Sequence, residues 1–451
     1  MYCCNSKSLV SAFVVLTLFL QFFCAANKTI IESVIPLTAQ NKKVPVYLIG
    51  AIITSIYISG LLTNLVFLKF SAKINVEKSF IVAAPLTSIM MVALGFCYYI
   101  ENSIAFEIFC ITDRLICGIT NAIEYCCMVP MVTSIVPKQS ALFITVLQIF
   151  DGAGSLSGPV IGSLFTQVFS IPTMSFTILG IAQFLISLLI LLLLNFIKNN
   201  RSNTHESKIK YENSMSSLLQ NTRILPFSIF SLYVLFCMVM TGFFETSITI
   251  VYKEELDIGY DFNWIFFAFR DISYILSSFL ISLLIQKKIN NFIFASSLIF
   301  FTISNGIYVA INIFEWQTTS AYVLTNIIQA MGYAAQSATG LFILEQCVNL
   351  DSLHPTFVRF VIFTWLMMIR QGGRLFGTQV VGGFLFTYFS FYQLMLGITL
   401  TVNLPLIIVN MLTLGFGHFC VKYDNLKYQD VDNDESLVPK ENIESMQDSI
   451  K

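Results

Sequence analysis

Twelve stretches of this chain are each long and apolar enough to cross a lipid bilayer, and no other feature limits its folding so strictly. A spanning helix needs about 20 mainly apolar residues. Segments of that kind cover roughly 9–36, 46–68, 79–99, 104–129, 139–166, 173–197, 224–252, 262–286, 291–313, 319–344, 357–386 and 391–417. Bilayer hydrocarbon offers no hydrogen bonds, so each segment must satisfy its own backbone as a helix. Of the 451 residues, 56% are hydrophobic and 11% charged, against about 25% charged in a soluble domain. Too few charges remain to cover a water-facing surface, and the chain is predicted to be an all-α membrane protein.

A polar stretch, KNNRSNTHESKIKYENSMSSLLQNTR (198–223), divides the spans six and six. The expected organisation is a first six-helix bundle (1–197), a central loop (198–223), a second six-helix bundle (224–417) and a polar, acidic, disordered tail (418–451). Lysine and arginine favour the cytoplasmic side of membrane proteins. With the N-terminus cytoplasmic, seventeen fall inside and three outside, with five within spans. Both termini are therefore expected in the cytoplasm, in a vesicular, endolysosomal or plasma membrane. The alternative for VSAFVVLTLFLQFFCAA (10–26), a cleaved signal peptide, would break the six-and-six symmetry. In the tail, YDNL offers Tyr423 and Leu426 as a candidate sorting signal for clathrin-adaptor proteins.

Other function classes find little support. The net charge of −1 and the lack of a basic cluster exclude a nucleic-acid partner. The eleven cysteines form no CxxC pair and lie mostly inside apolar runs, so neither a metal nor another cofactor is expected. No soluble catalytic domain or nucleotide-binding glycine loop is present, which argues against an enzyme or an ATP-driven pump.

The fifth span reads DGAGSLSGPVIGSLF (151–165), where glycine costs about 1 kcal/mol and proline about 3 in a helix interior. Gly154, Gly158 and Gly162 permit close approach of another helix backbone, and Pro159 removes one hydrogen bond. The eleventh span echoes it as QGGRLFGTQVVGGFLF (371–386). Aligning Gly158 with Gly377 also aligns Gly154 with Gly373, as expected of a duplicated six-helix unit.

Ionisable residues within the spans are costly, about 2.5–3.5 kcal/mol each at the bilayer centre, so they must face one another or a wet path. They are Lys28, Glu32, Asp113, Arg114, Glu124, Asp151, Glu245, Arg270, Asp271, Arg370 and Arg374. On span four, Asp113, Cys117, Thr120 and Glu124 form one stripe, and Arg114, Gly118, Asn121 and Tyr125 the next. Lys28 and Glu32 are i,i+4 neighbours able to pair. Arg370 and Arg374 share that spacing with like charge, so an anion must bridge them: Glu245, Asp271 or a substrate carboxylate or phosphate. Arg270 and Asp271 point to different faces. Tyr57, Tyr125, Tyr333 and Trp365 are candidate pathway aromatics.

The twelve spans, the long central loop and GSLSGPVIG (154–162) resemble the major facilitator superfamily, and the fifth-span pattern resembles the motif of its antiporter branch. GFFETSITIVYKEEL (242–256) and NKTIIESVIP (27–36) resemble the seventh and first spans of the vesicular amine and polyamine transporters. The resemblance implies the two-bundle major facilitator fold, a coupling role for Arg114 and a proton-carrying role for Glu245, which coincides with a family acid. In that fold span five packs against span eight, which implies an Asp151–Arg270 contact. This chain departs from the family at Leu68 and Ala72, where a loop Gly and Asp are usual, and at Asn27, where amine carriers place an acid.

The expected function is secondary active transport of a small organic solute by alternating access, as proton-coupled antiport of an amine, polyamine or drug-like molecule by a monomer. The alternatives are a transport-inactive receptor or scaffold, and an organic-anion carrier.

Overall fold

The computed structural model describes residues 6–135, 140–168, 171, 173–201, 215–256, 263–285, 290–349, 355–385, 388–406 and 408–409, though not every side chain within them. All of these lie in the compact unit Met1–Asn410. The first half contains α1 (Ser6–Asn41), α2 (Val46–Lys69), α3 (Val76–Gly95), α4 (Ser103–Ile135), α5 (Ser140–Val168) and α6 (Met174–Arg201). A short helix, α7 (Met215–Gln220), follows. The second half contains α8 (Ile224–Leu256), α9 (Asn263–Ile285), α10 (Asn290–Ile313), α11 (Thr319–Gln346), α12 (Pro355–Phe376) and α13 (Phe391–Ile398). From α1 to α11, apart from the short α7, their boundaries lie within about six residues of the expected spans, while the expected twelfth span, 391–417, extends beyond the described residues. Among the described residues, seven helices meet the length and apolarity needed to cross a membrane.

Burial in these helices is arranged for lipid rather than water. On α6, Gln183 and Ser187 are buried while Leu185, Leu188, Leu189, Leu192 and Phe196 are exposed. A bilayer reverses the usual polarity of a surface helix because leucine loses nothing against acyl chains.

The glycine echo predicted from the sequence corresponds to an echo in packing. A Cβ at Gly154 would stand 2.2 Å from the Phe22 carbonyl oxygen, and one at Gly158 would stand 2.6 Å from that of Ala26. In the second half, a Cβ at Gly373 would stand 2.8 Å from the Leu235 carbonyl oxygen and one at Gly377 2.1 Å from that of Val239. So α5 lies against α1 as α12 lies against α8, with the same i,i+4 register on all four helices.

Two features go beyond continuous spans joined by a polar central loop. Span eleven ceases to be α-helical at Phe376 and continues as a π-helix over Gly377–Phe384, and α13 continues as a π-helix over Thr399–Asn403. At each point threonine hydroxyls bond backwards into the helix. Thr378 donates to the Arg374 carbonyl (3.0 Å), Thr399 to Met395 (2.7 Å) and Thr401 to Gly397 (2.7 Å). Such back-bonds compete with the regular ladder, and the glycines at 377, 382 and 383 offer it little support. The end of the central loop is also ordered. Thr222 bridges Val348, with Arg223 N donating to Cys347 O (2.8 Å) and Asn349 N to Asn221 O (2.9 Å).

If close backbone packing is what these glycines provide, Gly158→Leu and Gly377→Leu each destabilise the protein by about 1–3 kcal/mol. At Gly306, nothing lies within 4 Å of an added Cβ, and Gly306→Ala stabilises by about 0.5–1 kcal/mol. Thermal unfolding in detergent measures all three.

Candidate functional site

A polar stripe on α1 organises the interior of the first half. Gln21, Cys24 and Asn27 recur every three residues and so share a face. Gln21 Nε2 donates to Asp151 Oδ1 on α5 (2.6 Å). Asn27 Nδ2 donates to Gln183 Oε1 on α6 (2.6 Å), Gln183 Nε2 donates to Cys24 Sγ (3.1 Å), and the Cys24 thiol donates to Glu124 Oε1 on α4 (3.1 Å). This directed chain links three helices and ends on a carboxylate that is 2% exposed. Thr87 of α3 stands beside that carboxylate, its hydroxyl donated to the Ala83 carbonyl (2.9 Å). Glu124 Oε2 and Asn27 Oδ1 have no hydrogen-bond partner among the described residues.

The two stripes expected on α4 are present. Asp113, Cys117, Thr120 and Glu124 are all buried. On the neighbouring stripe, Gly118 packs on Ser59 and Ile56 of α2, and Tyr125 reaches the second half. Arg114 is buried against Met91, with its terminal nitrogen 3.9 Å from Sδ. Neither Asp113 oxygen nor Arg114 Nε is hydrogen-bonded among the described residues. The two side chains interact through their charges alone.

The halves meet where α2 and α4 face α12 and where α5 faces α9 and α11. Tyr125 stacks on Phe363 (centroids 5.4 Å apart), and Phe67 lies 6.0 Å from Phe360. Asn64 joins the Cys126 thiol (3.2 Å) to Gln371, donating to its Oε1 (2.8 Å). Tyr274 donates to Gln148 Oε1 (2.8 Å) and its ring lies 5.2 Å from Tyr333. On α2, α4, α5 and α12 these contacts lie toward the membrane face at which α1 begins, so the halves are joined on that side.

Five residues from both halves converge at this seam: Tyr125, Asp151, Tyr274, Tyr333 and Arg370. Tyr274 stands against Gly152, the neighbour of Asp151, and beside Tyr333, Arg370 bonds Ser337 one turn from Tyr333, and Tyr125 stacks on Phe363, two turns before Arg370 on α12. Arg370 is 8% exposed; one terminal nitrogen donates to the Ser337 carbonyl (3.3 Å), and Nε has no partner.

The other expected positions lie elsewhere. Helices α5 and α9 do pack together, but among the described residues no ion pair joins Asp151 to Arg270. Gly152 stands against Tyr274, about one turn along α9 from Arg270. Arg270 instead brings Nε to Asp271 Oδ1 (3.3 Å), so these two adjacent side chains meet rather than diverge. Lys28 Nζ sits 4.9 Å from the centre of the Tyr57 ring. Trp365 faces α8, donating to Ser231 Oγ (2.9 Å), and so lies away from the seam. The side chains of Glu32, Pro159 and Glu245, and the tail residues Tyr423 and Leu426, lie outside the described residues. The carboxamides Gln21, Asn64, Gln148, Gln183 and Gln371 escaped the sequence reading. Their signal was spacing: Gln21, Cys24 and Asn27, and likewise Gln148 and Asp151, recur at helical intervals.

Glutamine at position 124 keeps an acceptor for the Cys24 thiol, whereas lysine buries a cation with no acid beside it. Glu124→Gln therefore changes stability by no more than about 1 kcal/mol, and Glu124→Lys costs about 3–5 kcal/mol, as read from thermal unfolding.

Comparison with known proteins bears on the same architecture. The family model described as Major Facilitator Superfamily matches residues 17–378. No curated protein matches the chain. A bacterial homologue of the iron transporter ferroportin in its outward-facing state superposes with a TM-score of 0.68 at 12% identity, covering 89% of this chain and 99% of that one. The proton:xylose symporter XylE bound to 6-bromo-6-deoxy-D-glucose also superposes with a TM-score of 0.68, at 11% identity, covering 92% of this chain and 97% of that one. At such identities the likeness is one of fold.

Proposed function

We propose, from the premise that the chain belongs to the major facilitator superfamily, that it exchanges an amine-bearing organic solute for protons by alternating access. The chain is a multi-pass membrane transporter and not an enzyme. What carries the finer reading is the seam, where Tyr125 stacks on Phe363, Tyr274 bonds Gln148 and stands against Gly152 beside Asp151, and Tyr333 and Arg370 of the second half lie next to these contacts. A solute bound there touches both halves and is exposed to one side or the other as they rock.

The residues suit that cycle. Asn27 replaces the acid that amine carriers place on their first span, and it is bonded to Gln183. Asp151, one helix away, supplies the seam with the negative charge an ammonium group needs. For the protons, Asp113 and Glu124 are buried acids outside any described ion pair. A proton is the smallest ligand that removes the cost of an uncompensated buried carboxylate. Glu245, which coincides with a family acid, is the third candidate carrier. Opening the joined side requires Phe67 to part from Phe360, Asn64 from Gln371 and Tyr274 from Gln148. We also place both termini in the cytoplasm, of a vesicular, endolysosomal or plasma membrane, with Tyr423 and Leu426 available to adaptor proteins and the chain acting as a monomer.

Purified protein in proteoliposomes under an imposed pH gradient provides the test, with polyamines, monoamines and organic anions as the panel. Gradient-driven uptake is expected, falling by about tenfold or more in Glu124→Gln or Glu245→Gln. A short cross-linker between cysteines placed at 67 and 360 should stop it, and reduction of that link should restore it. Absence of uptake of every solute by demonstrably folded protein supports the receptor or scaffold alternative instead.

A further inference from the structure

The charges at the seam specify more than an amine. Arg370 is buried, its described bonds are limited to a backbone carbonyl, and Nε has no partner. Asp151 Oδ1 accepts from Gln21, a neutral amide. Asp151 adjoins Gly152, which stands against Tyr274, and Arg370 bonds Ser337, one turn from Tyr333, whose ring lies 5.2 Å from that of Tyr274, yet no ion pair joins the two charges among the described residues. Opposite charges in a low-dielectric seam attract strongly. Here each is bonded elsewhere, Arg370 to the Ser337 carbonyl of α11 and Asp151 to Gln21 of α1. The fold thus maintains a separated positive and negative pole, one on each half.

A ligand matching this arrangement carries the inverse dipole. A bare cation would satisfy Asp151 and leave Arg370 buried without a counter-charge, and a bare anion would do the reverse. Either would be penalised, because a buried charge lacking its partner costs far more than an exposed one. We propose that the seam binds a zwitterion, with a carboxylate on Arg370, an ammonium group on Asp151, and its body among Tyr125, Tyr274 and Tyr333. The guanidinium, with Nε still unbonded, suits a carboxylate. Because Arg370 belongs to α12 and Asp151 to α5, such a ligand bridges the halves through both of its charges and adds no net charge to the seam.

This assignment rests on the transport reading above, deepening it from an amine to an amino acid-like solute, so its test reads binding rather than transport. Full-length protein in nanodiscs is titrated calorimetrically with the proteinogenic amino acids. Every binder is compared with its decarboxylated amine and its deaminated acid. The expected result is that at least one zwitterion binds about tenfold or more tightly than either half-molecule. Arg370→Gln should abolish the preference over the amine, and Asp151→Asn the preference over the acid. Each variant thus serves as a control for the folding of the other. The assignment is overturned if no amino acid binds, if the amine or the acid binds as tightly as the zwitterion, or if both variants retain the wild-type preferences. A chain that binds zwitterions but moves nothing in proteoliposomes refutes transport and leaves this assignment standing. Uptake of simple amines without zwitterion binding does the opposite.

Discussion

Everything in this structure depends on one deficiency of the bilayer: hydrocarbon can neither hydrogen-bond a polar group nor compensate a charge. The backbone meets that condition by being helical. The side chains meet it by turning inward, which is why α6 presents leucines outward while Gln183 and Ser187 are buried. Once polar groups have been driven into the interior they must find one another, and the chain from Asn27 through Gln183 and Cys24 to Glu124 is the result. That chain leaves two acceptor atoms unbonded among the described residues, Asn27 Oδ1 and Glu124 Oε2. A purely structural network gains nothing from unfilled acceptors, because each costs about 1–3 kcal/mol when buried.

The glycines show how the same deficiency shapes the mechanics. Without a hydrophobic driving force between helices, association relies on close contact. Gly154 and Gly158 bring α5 onto the backbone of α1, and Gly373 and Gly377 bring α12 onto that of α8. These two pairs lie one in each half, whereas the contacts between halves are made by side chains such as Tyr125, Phe363, Tyr274 and Gln371. Backbone-to-backbone packing is hard to part and re-form. Stacked rings and single amide bonds separate at much lower cost. The distribution therefore suits two firm bodies with a separable boundary.

Much of the helical layout could be read in advance because bilayer thickness sets a length that apolar runs must meet, and because aligned glycines reveal a repeat. The π-helical stretch after Phe376 could not, since it arises from Thr378 and clustered glycines acting within a span whose apolarity is unbroken. The same division holds at the site. Periodicity placed Asp113 and Glu124 on one stripe and Tyr125 on the next, and both placements match the structure. What periodicity cannot convey is which helices meet and at what level. The expected Asp151–Arg270 pair has the right two helices, α5 and α9, but Asp151 lies level with Tyr274 instead. The carboxamides were overlooked for a related reason: an uncharged glutamine in an apolar run draws no attention until its partner, such as Asp151 for Gln21, is known to stand opposite.

The two halves, alike in helix packing, differ in the chemistry of their interiors. In the first, acids and carboxamides are joined by hydrogen bonds whose direction is set by a thiol and by amides able to turn over. In the second, phenols and rings predominate. Asn326 is fixed between Tyr308 (2.6 Å) and Tyr252 (2.7 Å), the Tyr252 ring stacks on Phe266 at 4.1 Å, and Tyr322 and Tyr392 both donate to Glu255. Aromatic side chains have few rotamers and pack through rigid faces, so this half resists internal rearrangement. A polar network of thiol, amide and acid can change its protonation without moving a helix. The same helix packing thus holds one half joined by thiol, amide and acid and another joined by phenols. The seam between them has Asp151, bonded to Gln21, on one side and Arg370, bonded to Ser337, on the other.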